Sequence, residues 1–174
     1  MKEIPDRALR ERLQRVRWLF YDFDGVMTDN RVLVDQHGVE SVYVNRSDGL
    51  AVSRLKAAGY GQVIVSTEKN PVVERRAEKL KIPVIHGVED KGEIIRRYRA
   101  ENGIDREETL FIGNDVNDLA AYAETGVHIC PADAYEEIRE QADLVLSAKG
   151  GYGVIRELMA ILQASQPMGT GHAG

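Results

Sequence analysis

The stretch VRWLFYDFDGVMTD, residues 16–29, joins a short apolar run to a cluster of acids. Its first half is rich in aromatic and β-branched residues, which is typical of a buried strand. The alternation of a strand would send the side chains of Asp22 and Asp24 to one side and Phe23 to the other. Gly25 follows and lets backbone N–H groups approach an anion. The stretch therefore predicts two carboxylates at the carboxyl end of a strand, although a bare pair of this kind is also typical of solvated loop residues.

Strand-like runs alternate with helical patterns along the rest of the chain, and this alternation predicts the fold class. Further apolar, β-rich runs lie at 61–66, 83–87, 108–115, 127–130 and 142–147. Apolar residues at three-to-four spacing predict helices over 47–59, 70–81, 91–103, 116–126 and 153–163. Gly59, Gly103 and Gly126 stand where three of these helices would end in a left-handed conformation. The alternation predicts an α/β protein, a Rossmann-like three-layer α/β/α sandwich around a mostly parallel sheet.

One segment departs from this alternation. Residues 31–45 contain two runs of period two joined by Asp35-Gln36-His37-Gly38, which predicts an antiparallel β-hairpin. The hairpin would protrude from the carboxyl edge of the sheet, where α/β proteins bind their ligands. It is therefore a candidate lid or interface.

Length and composition limit the remaining possibilities. The chain has 174 residues and a net charge of −5, which suits one domain, placed at 1–164, with a flexible tail at 165–174. Its lysines and arginines are dispersed, so a nucleic-acid partner is not expected, and no apolar run is long enough to indicate a membrane partner. Cys130 is the single cysteine and is expected in the core. Such cysteine usage is compatible with a cytoplasmic protein.

A second acidic group follows the apolar run that ends at residue 112. Asn114, Asp115 and Asp118 lie in GNDVND, at the junction of a predicted strand and helix on the same edge of the sheet. Taken alone, the two acids could be a helix cap and a first-turn acid. Two acidic groups at neighbouring strand ends repel each other unless a cation lies between them, and oxygen ligands without His or Cys favour Mg²⁺.

Two further residues complete the pattern with a hydroxyl and a positive charge. Ser66 ends the run VIVS, and Lys91 begins a helix after Glu89-Asp90. Alone, they could be a helix cap and a surface lysine. Together at one sheet edge with a magnesium site, they indicate a bound phosphate.

These motifs, in this order, resemble the haloacid dehalogenase superfamily of aspartyl phosphatases. Its four motifs are matched in turn by Asp22-Phe23-Asp24-Gly25-Val26, by Ser66, by Lys91, and by Gly113-Asn114-Asp115 with Asp118. The resemblance implies a phosphoric monoester hydrolase and covers almost the whole chain.

It also implies a role for each matched residue. Asp22 would be the nucleophile that forms an aspartyl phosphate, and Asp24 the general acid and base. Mg²⁺ would be held by Asp22, Asp24 through its backbone carbonyl, and Asp115. Phosphoryl oxygens would be bound by Ser66, Lys91 and Gly25, while Asn114 and Asp118 support the site.

No cap domain is expected, since the hairpin at 31–45 is the one insertion after the first motif. The chain thus resembles the capless subgroup typified by 3-deoxy-D-manno-octulosonate 8-phosphate phosphatase. That subgroup also includes nonulosonate 9-phosphate phosphatases and the C-terminal domains of acylneuraminate cytidylyltransferases. The resemblance implies a homotetramer in which hairpins and tails help to close the site of a neighbouring subunit.

The second motif favours one substrate class. It continues as Ser66-Thr67-Glu68-Lys69, as in the nonulosonate enzymes, where the octulosonate enzymes have Thr-Gly-Arg-Lys. A Glu in place of Arg reverses a charge beside the substrate, so Glu68 and Lys69 are candidate substrate contacts for a phosphorylated sugar acid. Glu68 could instead begin the following helix. The alternatives are an octulosonate 8-phosphate phosphatase and a weakly active oligomerisation module of the cytidylyltransferase type.

Two other matched segments have open roles. Asp48, in Asn45-Arg46-Ser47-Asp48-Gly49, is either a helix cap or a polar contact near the substrate. The subgroup's tail motif, Gly-Gly-Arg-Gly-Ala, corresponds to Gly150-Gly151-Tyr152-Gly153-Val154, with Tyr152 in the place of arginine.

Overall fold

The structure, a computed structural model, describes residues 6–167. Its strands are β1 (Trp18–Tyr21), β2 (Leu33–Val34), β3 (Glu40–Ser41), β4 (Gly61–Val65), β5 (Val84–Ile85), β6 (Thr109–Ile112), β7 (Val127–Cys130) and β8 (Leu144–Val145). Its helices are α1 (Arg7–Arg15), α2 (Arg46–Ala57), α3 (Val72–Leu80), α4 (Lys91–Asn102), α5 (Leu119–Ala123), α6 (Glu136–Gln141) and α7 (Val154–Ser165).

The central sheet has six parallel strands in the order β5-β4-β1-β6-β7-β8. The first strand in the chain thus lies in the middle, with β4 on one side and β6 on the other. Because the three strands are parallel, their carboxyl ends meet at one edge. The predicted α/β sandwich is confirmed, and between β1 and β4 the chain forms only the hairpin and α2, so no cap domain is present there.

Side chains that alternate along each strand build two apolar layers. Leu19 and Tyr21 face the layer covered by α1, α2, α3 and α7. Phe20 faces the other layer, covered by α4, α5 and α6. Cys130 lies fully buried in the second layer, as predicted, and burial raises the pKa of its thiol to about 11.

Two of the helices, α1 and α6, were not predicted from the sequence. α1 precedes the first apolar run and so lies outside the alternation of strands and helices, although its buried Leu9 and Leu13 share one helix face. α6 has six residues and buries only Ile138, which is too little to reveal a helical period. The predicted helix over 116–126 is also shorter, because a 3₁₀ turn at Val116–Asp118 precedes α5.

The predicted left-handed glycines at helix ends and the predicted end of the domain are only partly confirmed. Gly59 and Gly103 have positive φ, whereas Gly126 is not among the residues with positive φ. Gly126 is instead required by close packing, since a Cβ there would lie 2.6 Å from the Arg106 carbonyl oxygen. α7 continues to Ser165, one residue beyond the predicted domain end. Of the predicted tail, residues 168–174 lie outside the described residues.

The predicted hairpin is present, with β2 and β3 antiparallel and Leu33 opposite Ser41. Asp35 accepts hydrogen bonds from the N–H groups of His37 and Val39, which closes the turn. Both strands are exposed, so the hairpin stands away from the core.

Within residues 6–167, none of the helices has the length and apolar character needed to cross a bilayer. A cytoplasmic location stays a prediction.

Candidate active site

The predicted polar residues meet at the carboxyl edge of the three central strands. Asp22 follows β1, Ser66 follows β4, and Asp115 lies in the loop after β6. β1 ends at Tyr21, so Asp22 lies just beyond the strand, where its N–H still donates to the Ile112 carbonyl oxygen over 2.9 Å. The backbone ladder with β6 thereby holds Asp22 in place.

Lys91, the first residue of α4, joins two of the acids. Its Nζ lies 2.7 Å from Asp22 Oδ1 and 2.6 Å from Asp118 Oδ1, and the side chain is 0% exposed. Burial acts to lower the pKa of Lys91, but the two carboxylates outweigh it and raise that pKa. Gly92 permits this close approach, since a Cβ there would lie 2.5 Å from the Ala120 carbonyl oxygen. Lys91 is therefore a fixed positive charge at the centre of the site.

Asp118 and Asp115 organise the loop after β6. Asp118 is fully buried, and its Oδ2 accepts the N–H of Asn114 at 2.8 Å and that of Asp115 at 3.3 Å. Asp115 caps the 3₁₀ turn by accepting the N–H of Val116 at 2.7 Å. Asp118 thus combines a structural role in the loop with a charge contact to Lys91.

Asp22 lies in an environment with an excess of negative charge. Burial, followed by the charge of Asp118, raises the pKa of Asp22 to about 8, although Lys91 and the Phe23 N–H act in the opposite direction. A cation beside Asp22 would therefore stabilise its carboxylate form.

The Asn114 side chain forms hydrogen bonds to two oxygen atoms of the site. Its amide, oriented with the nitrogen toward them, donates to Asp22 Oδ2 at 3.1 Å and to the Asp24 carbonyl oxygen at 2.9 Å. Gly25, with φ of +76°, makes room for the amide, since a Cβ there would lie 2.0 Å from it. Gly25 is thus needed for both its backbone conformation and its missing side chain.

The residues present fit a hard divalent cation. Asp22 Oδ2 and the Asp24 carbonyl oxygen converge on the Asn114 amide, and the half-buried Asp115 follows it in the chain. No group of three or more His, Cys, Asp or Glu side chains suited to a metal ion occurs within residues 6–167. The predicted ligand set is smaller, with two carboxylates and one backbone carbonyl, and it is an all-oxygen set of the kind that Mg²⁺ binds.

Asp24 has a partner that the sequence analysis missed. Thr28 is fully buried, and its hydroxyl donates to Asp24 Oδ1 and accepts the Gly25 N–H, each at 3.2 Å. Burial is the main cause that raises the pKa of Asp24, and Glu68 and Glu40 add to it, while Thr28 lowers it. A raised pKa suits a group that gives and takes a proton.

Ser66 offers a hydroxyl at the next strand end. It is 1% exposed, and its Oγ accepts the N–H of Glu68 at 3.1 Å, so the hydroxyl proton stays available to an anion. The cap alternative for Ser66 and the helix-start alternative for Glu68 are both wrong, because α3 begins only at Val72. The Glu68 carboxylate instead accepts the N–H groups of Lys69 and Asn70 in the loop.

A cavity of about 320 Å³ opens beside Asp24. Glu68 lines it, together with Glu40 of the hairpin and Asn70, whose side chains are hydrogen bonded at 2.8 Å. Lys69 is exposed in the same loop but does not line this cavity. The hairpin was predicted as a candidate lid at this edge, but the contact between Glu40 and Asn70 was not predicted, because it joins segments thirty residues apart.

Asp48 does not join this group. It is 2% exposed, and its Oδ1 accepts the N–H of Arg156 at 2.9 Å, in the first turn of α7. The N-terminal cap of its own helix is Asn45, which accepts the N–H of Ser47. Asp48 therefore stabilises the start of a neighbouring helix, and the structure gives no support to a substrate contact.

Comparison with known proteins agrees with this geometry. A family profile described as haloacid dehalogenase-like hydrolase matches residues 51–158. The 3-deoxy-D-manno-octulosonate 8-phosphate phosphatase KdsC of Haemophilus influenzae is 32% identical over 160 residues, which cover 90% of this chain and 88% of the relative.

Two solved structures have the same fold. A chain from Streptomyces avermitilis, assigned to the HAD family of hydrolases, has a TM-score of 0.84 and 43% identity, with 86% of each chain covered. The octulosonate 8-phosphate phosphatase of Moraxella catarrhalis, solved with magnesium, phosphate and KDO, has a TM-score of 0.87 and 27% identity. This match covers 91% of this chain and 92% of that one. The expectation of an enzyme of this superfamily is confirmed, and the chain belongs to the family of haloacid dehalogenase-like hydrolases.

Proposed function

We propose that this protein is a Mg²⁺-dependent phosphatase that hydrolyses a phosphorylated sugar acid, with a nonulosonate 9-phosphate as the favoured substrate. The observation that carries the proposal is the Asp22 carboxylate, held between Lys91 and the Asn114 amide at the sheet edge. A carboxylate fixed between positive and polar groups is oriented for attack on phosphorus.

The reaction proceeds in two displacements. Asp22 forms a bond to phosphorus while the ester P–O bond breaks, and Asp24 gives its proton to the departing alkoxide. Asp24 then takes a proton from a water molecule that attacks the aspartyl phosphate, which releases phosphate and restores Asp22. The hydrogen bond from Thr28 keeps the Asp24 carboxyl oriented through both steps.

Positive and polar groups stabilise the phosphoryl oxygens. An ammonium has three N–H donors, and Lys91 uses two on Asp22 and Asp118, which leaves one for the phosphoryl group. Ser66 donates its hydroxyl proton, and the backbone at Gly25 approaches closely. The carboxylates of Asp22 and Asp115 and the Asp24 carbonyl would hold Mg²⁺, which supplies charge neutralisation for the transferred phosphoryl group.

The leaving group would occupy the cavity lined by Glu68, Glu40 and Asn70. The carboxylates of the cavity suit the hydroxyl groups of a polyol. Lys69, exposed in the same loop but outside the cavity wall, is proposed to meet the carboxylate of the sugar acid where the substrate extends beyond the cavity. The second candidate is an octulosonate 8-phosphate, which is favoured by the 32% identity to the enzyme of Haemophilus influenzae.

Substrate preference can be measured directly. We expect phosphate release from 2-keto-3-deoxynonulosonate 9-phosphate to exceed that from octulosonate 8-phosphate in kcat/KM, because Glu68 accepts hydroxyl protons where the octulosonate enzymes carry arginine. EDTA should abolish both activities, and Mg²⁺ should restore them. A steady-state phosphate assay with each substrate gives both results.

Glu68→Arg is the matched variant for this assay. It should move the preference toward the octulosonate by about tenfold, which corresponds to about 1.4 kcal/mol, because it reverses the charge beside the substrate. Higher turnover of the octulosonate by the unchanged protein would replace the favoured substrate with the second candidate. No turnover of either substrate would favour the oligomerisation module.

We also propose a homotetramer built through the hairpin. Leu33 and Val39 are 64% and 60% exposed there, and burying each in an interface would contribute about 1.5–3 kcal/mol. We expect Leu33→Asp with Val39→Asp to yield smaller species in sedimentation velocity, with the fold retained. Ala100→Asp, which adds a charge at an exposed position of α4, should leave the assembly unchanged. A monomeric unchanged protein would contradict this proposal.

A further inference from the structure

The loop between β8 and α7 lies directly against the segment that carries the two central acids. We name residues 147–153 the glycine loop and residues 22–29 the acid loop. A Cβ added at Gly150 would lie 2.2 Å from the Gly25 carbonyl oxygen, and one at Gly151 would lie 2.6 Å from the Asp29 nitrogen, whereas ordinary contacts begin at 3.4 Å. Any side chain at these positions would therefore displace one of the loops.

Hydrogen bonds hold the glycine loop in this position. The Gly151 N–H donates to the Val26 carbonyl oxygen at 3.0 Å, and Asn45 Nδ2 donates to the Gly151 carbonyl oxygen at 3.3 Å. The Gly150 N–H donates to Asp133 Oδ1 at 2.9 Å. The two glycines are thus bonded to the acid loop, to the start of α2 and to the loop after β7.

The glycine loop cannot easily retreat from the acid loop. The Glu157 carboxylate accepts the N–H groups of Ser147 and Ala148 on one side. On the other side, the buried Asp48 accepts the N–H of Arg156 and fixes the start of α7. Hydrogen bonds to carboxylates are among the stronger ones in proteins, so both ends of the loop are well anchored.

The acid loop is held from its other side as well. The Asn114 amide lies where a Gly25 Cβ would be, and it donates to the Asp24 carbonyl oxygen. Gly25 is therefore enclosed between Asn114 and Gly150. The peptide units on both sides of Gly25 have no room to rotate, and one of them carries the carbonyl proposed as a metal ligand.

We propose that Gly150 and Gly151 are positioning residues for the phosphatase reaction, and that they set the orientation of the Asp24 carbonyl and carboxyl groups through their backbone contacts with Gly25, Val26 and Asp29 of the acid loop. The inference rests on the proposed roles of Asp22 and Asp24. It gives the Gly-Gly pair a function within its own subunit, independent of Tyr152, which is 64% exposed.

Gly150→Ala tests the contact. The added methyl group must push the loops apart by roughly 1 Å, a displacement that can lower kcat about 100-fold. With p-nitrophenyl phosphate and Mg²⁺, we expect kcat to fall by that factor and KM to change little. The dissociation constant for Mn²⁺ alone, measured by electron paramagnetic resonance, should rise, because the Asp24 carbonyl moves.

Gly126→Ala is the matched control. Its Cβ would also meet backbone, at 2.6 Å from the Arg106 carbonyl oxygen, but before β7 and therefore at the opposite edge of the sheet. We expect this variant to lower the melting temperature while kcat and Mn²⁺ affinity stay unchanged. Equal kcat in the Gly150→Ala and Gly126→Ala proteins would overturn the proposal.

A milder pair of variants covers the case in which Gly150→Ala does not fold. Asp133→Ala removes the acceptor of the Gly150 N–H without a clash, and Asp133→Asn keeps an acceptor oxygen. We expect Asp133→Ala to lower kcat several-fold and Asp133→Asn to restore it. An unchanged kcat in Asp133→Ala, or an equal loss in both variants, would contradict the proposal.

The Mn²⁺ measurement separates this proposal from the proposed function. If the unchanged protein binds Mn²⁺ but releases no phosphate, the phosphatase assignment fails, while weaker Mn²⁺ binding by Gly150→Ala still supports positioning. If the unchanged protein neither binds Mn²⁺ nor releases phosphate, both are overturned.

Discussion

Asp22→Asn is expected to abolish phosphate release. The amide has nearly the shape of the carboxylate but is a far poorer nucleophile, so no aspartyl phosphate can form. Removing a covalent nucleophile commonly lowers kcat by about 10⁴-fold or more. The measurement is single-turnover phosphate release from a sugar-acid phosphate in the presence of Mg²⁺.

The variant should remain folded, which makes the result informative. An amide oxygen at Oδ1 can still accept from Lys91 Nζ and from the Phe23 N–H. The Asn114 amide nitrogen keeps its hydrogen bond to the Asp24 carbonyl oxygen, so only its hydrogen bond to residue 22 is lost, which costs about 1 kcal/mol. We therefore expect an unchanged circular dichroism spectrum and assembly state. Phosphate release at the level of the unchanged protein would refute Asp22 as the nucleophile.

Lys91→Met is expected to have the second-largest effect, on stability as well as activity. The Lys91 ammonium is fully buried between Asp22 and Asp118. Removing it leaves two buried carboxylates without their partner, which costs about 3–5 kcal/mol for an ion pair of this kind. Urea unfolding without metal should report this loss, and turnover should fall below detection because a donor to the phosphoryl oxygens is missing.

A second substitution separates the two effects of Lys91. Lys91→Met combined with Asp118→Asn removes one of the uncompensated charges, so part of the lost stability should return. The amide oxygen can keep the hydrogen bond from the Asn114 N–H. Turnover should stay absent in the double variant. Recovery of turnover together with stability would mean that Lys91 acts only as a structural residue.

Local pattern predicts most of the fold of this chain. The runs at 61–66 and 127–130 form β4 and β7 almost as predicted, because a buried parallel strand carries continuous apolar residues that no loop would tolerate. Long helices with an apolar face, such as α2 and α7, are likewise found within a few residues of their predicted bounds. α1 is missed because it precedes the first apolar run and lies outside the alternation, and α6 is missed because its six residues include one buried side chain.

The residues of the site also fall into those that local pattern predicts and those that it does not. Asp22, Ser66, Lys91 and Asp115 are all predicted at one sheet edge, because each follows a strand or begins a helix in a parallel fold. Asp48 was predicted to be either a helix cap or a polar contact near the substrate, and the structure instead pairs it with the backbone of α7, more than one hundred residues away. No local pattern contains such a partner.

By itself, the amino-acid sequence determined the parallel sandwich, the hairpin and the gathering of acids and lysine at one edge, because these follow from periodicity and from the topology of strand and helix. Only the tertiary structure decided which neighbouring residues hold the acids and the lysine in place. The Thr28 contact to Asp24, the Asn114 amide over Gly25 and the backbone contact of Gly150 depend on spacings of a few ångströms. Those spacings are set by how distant segments pack, and a linear pattern does not encode them.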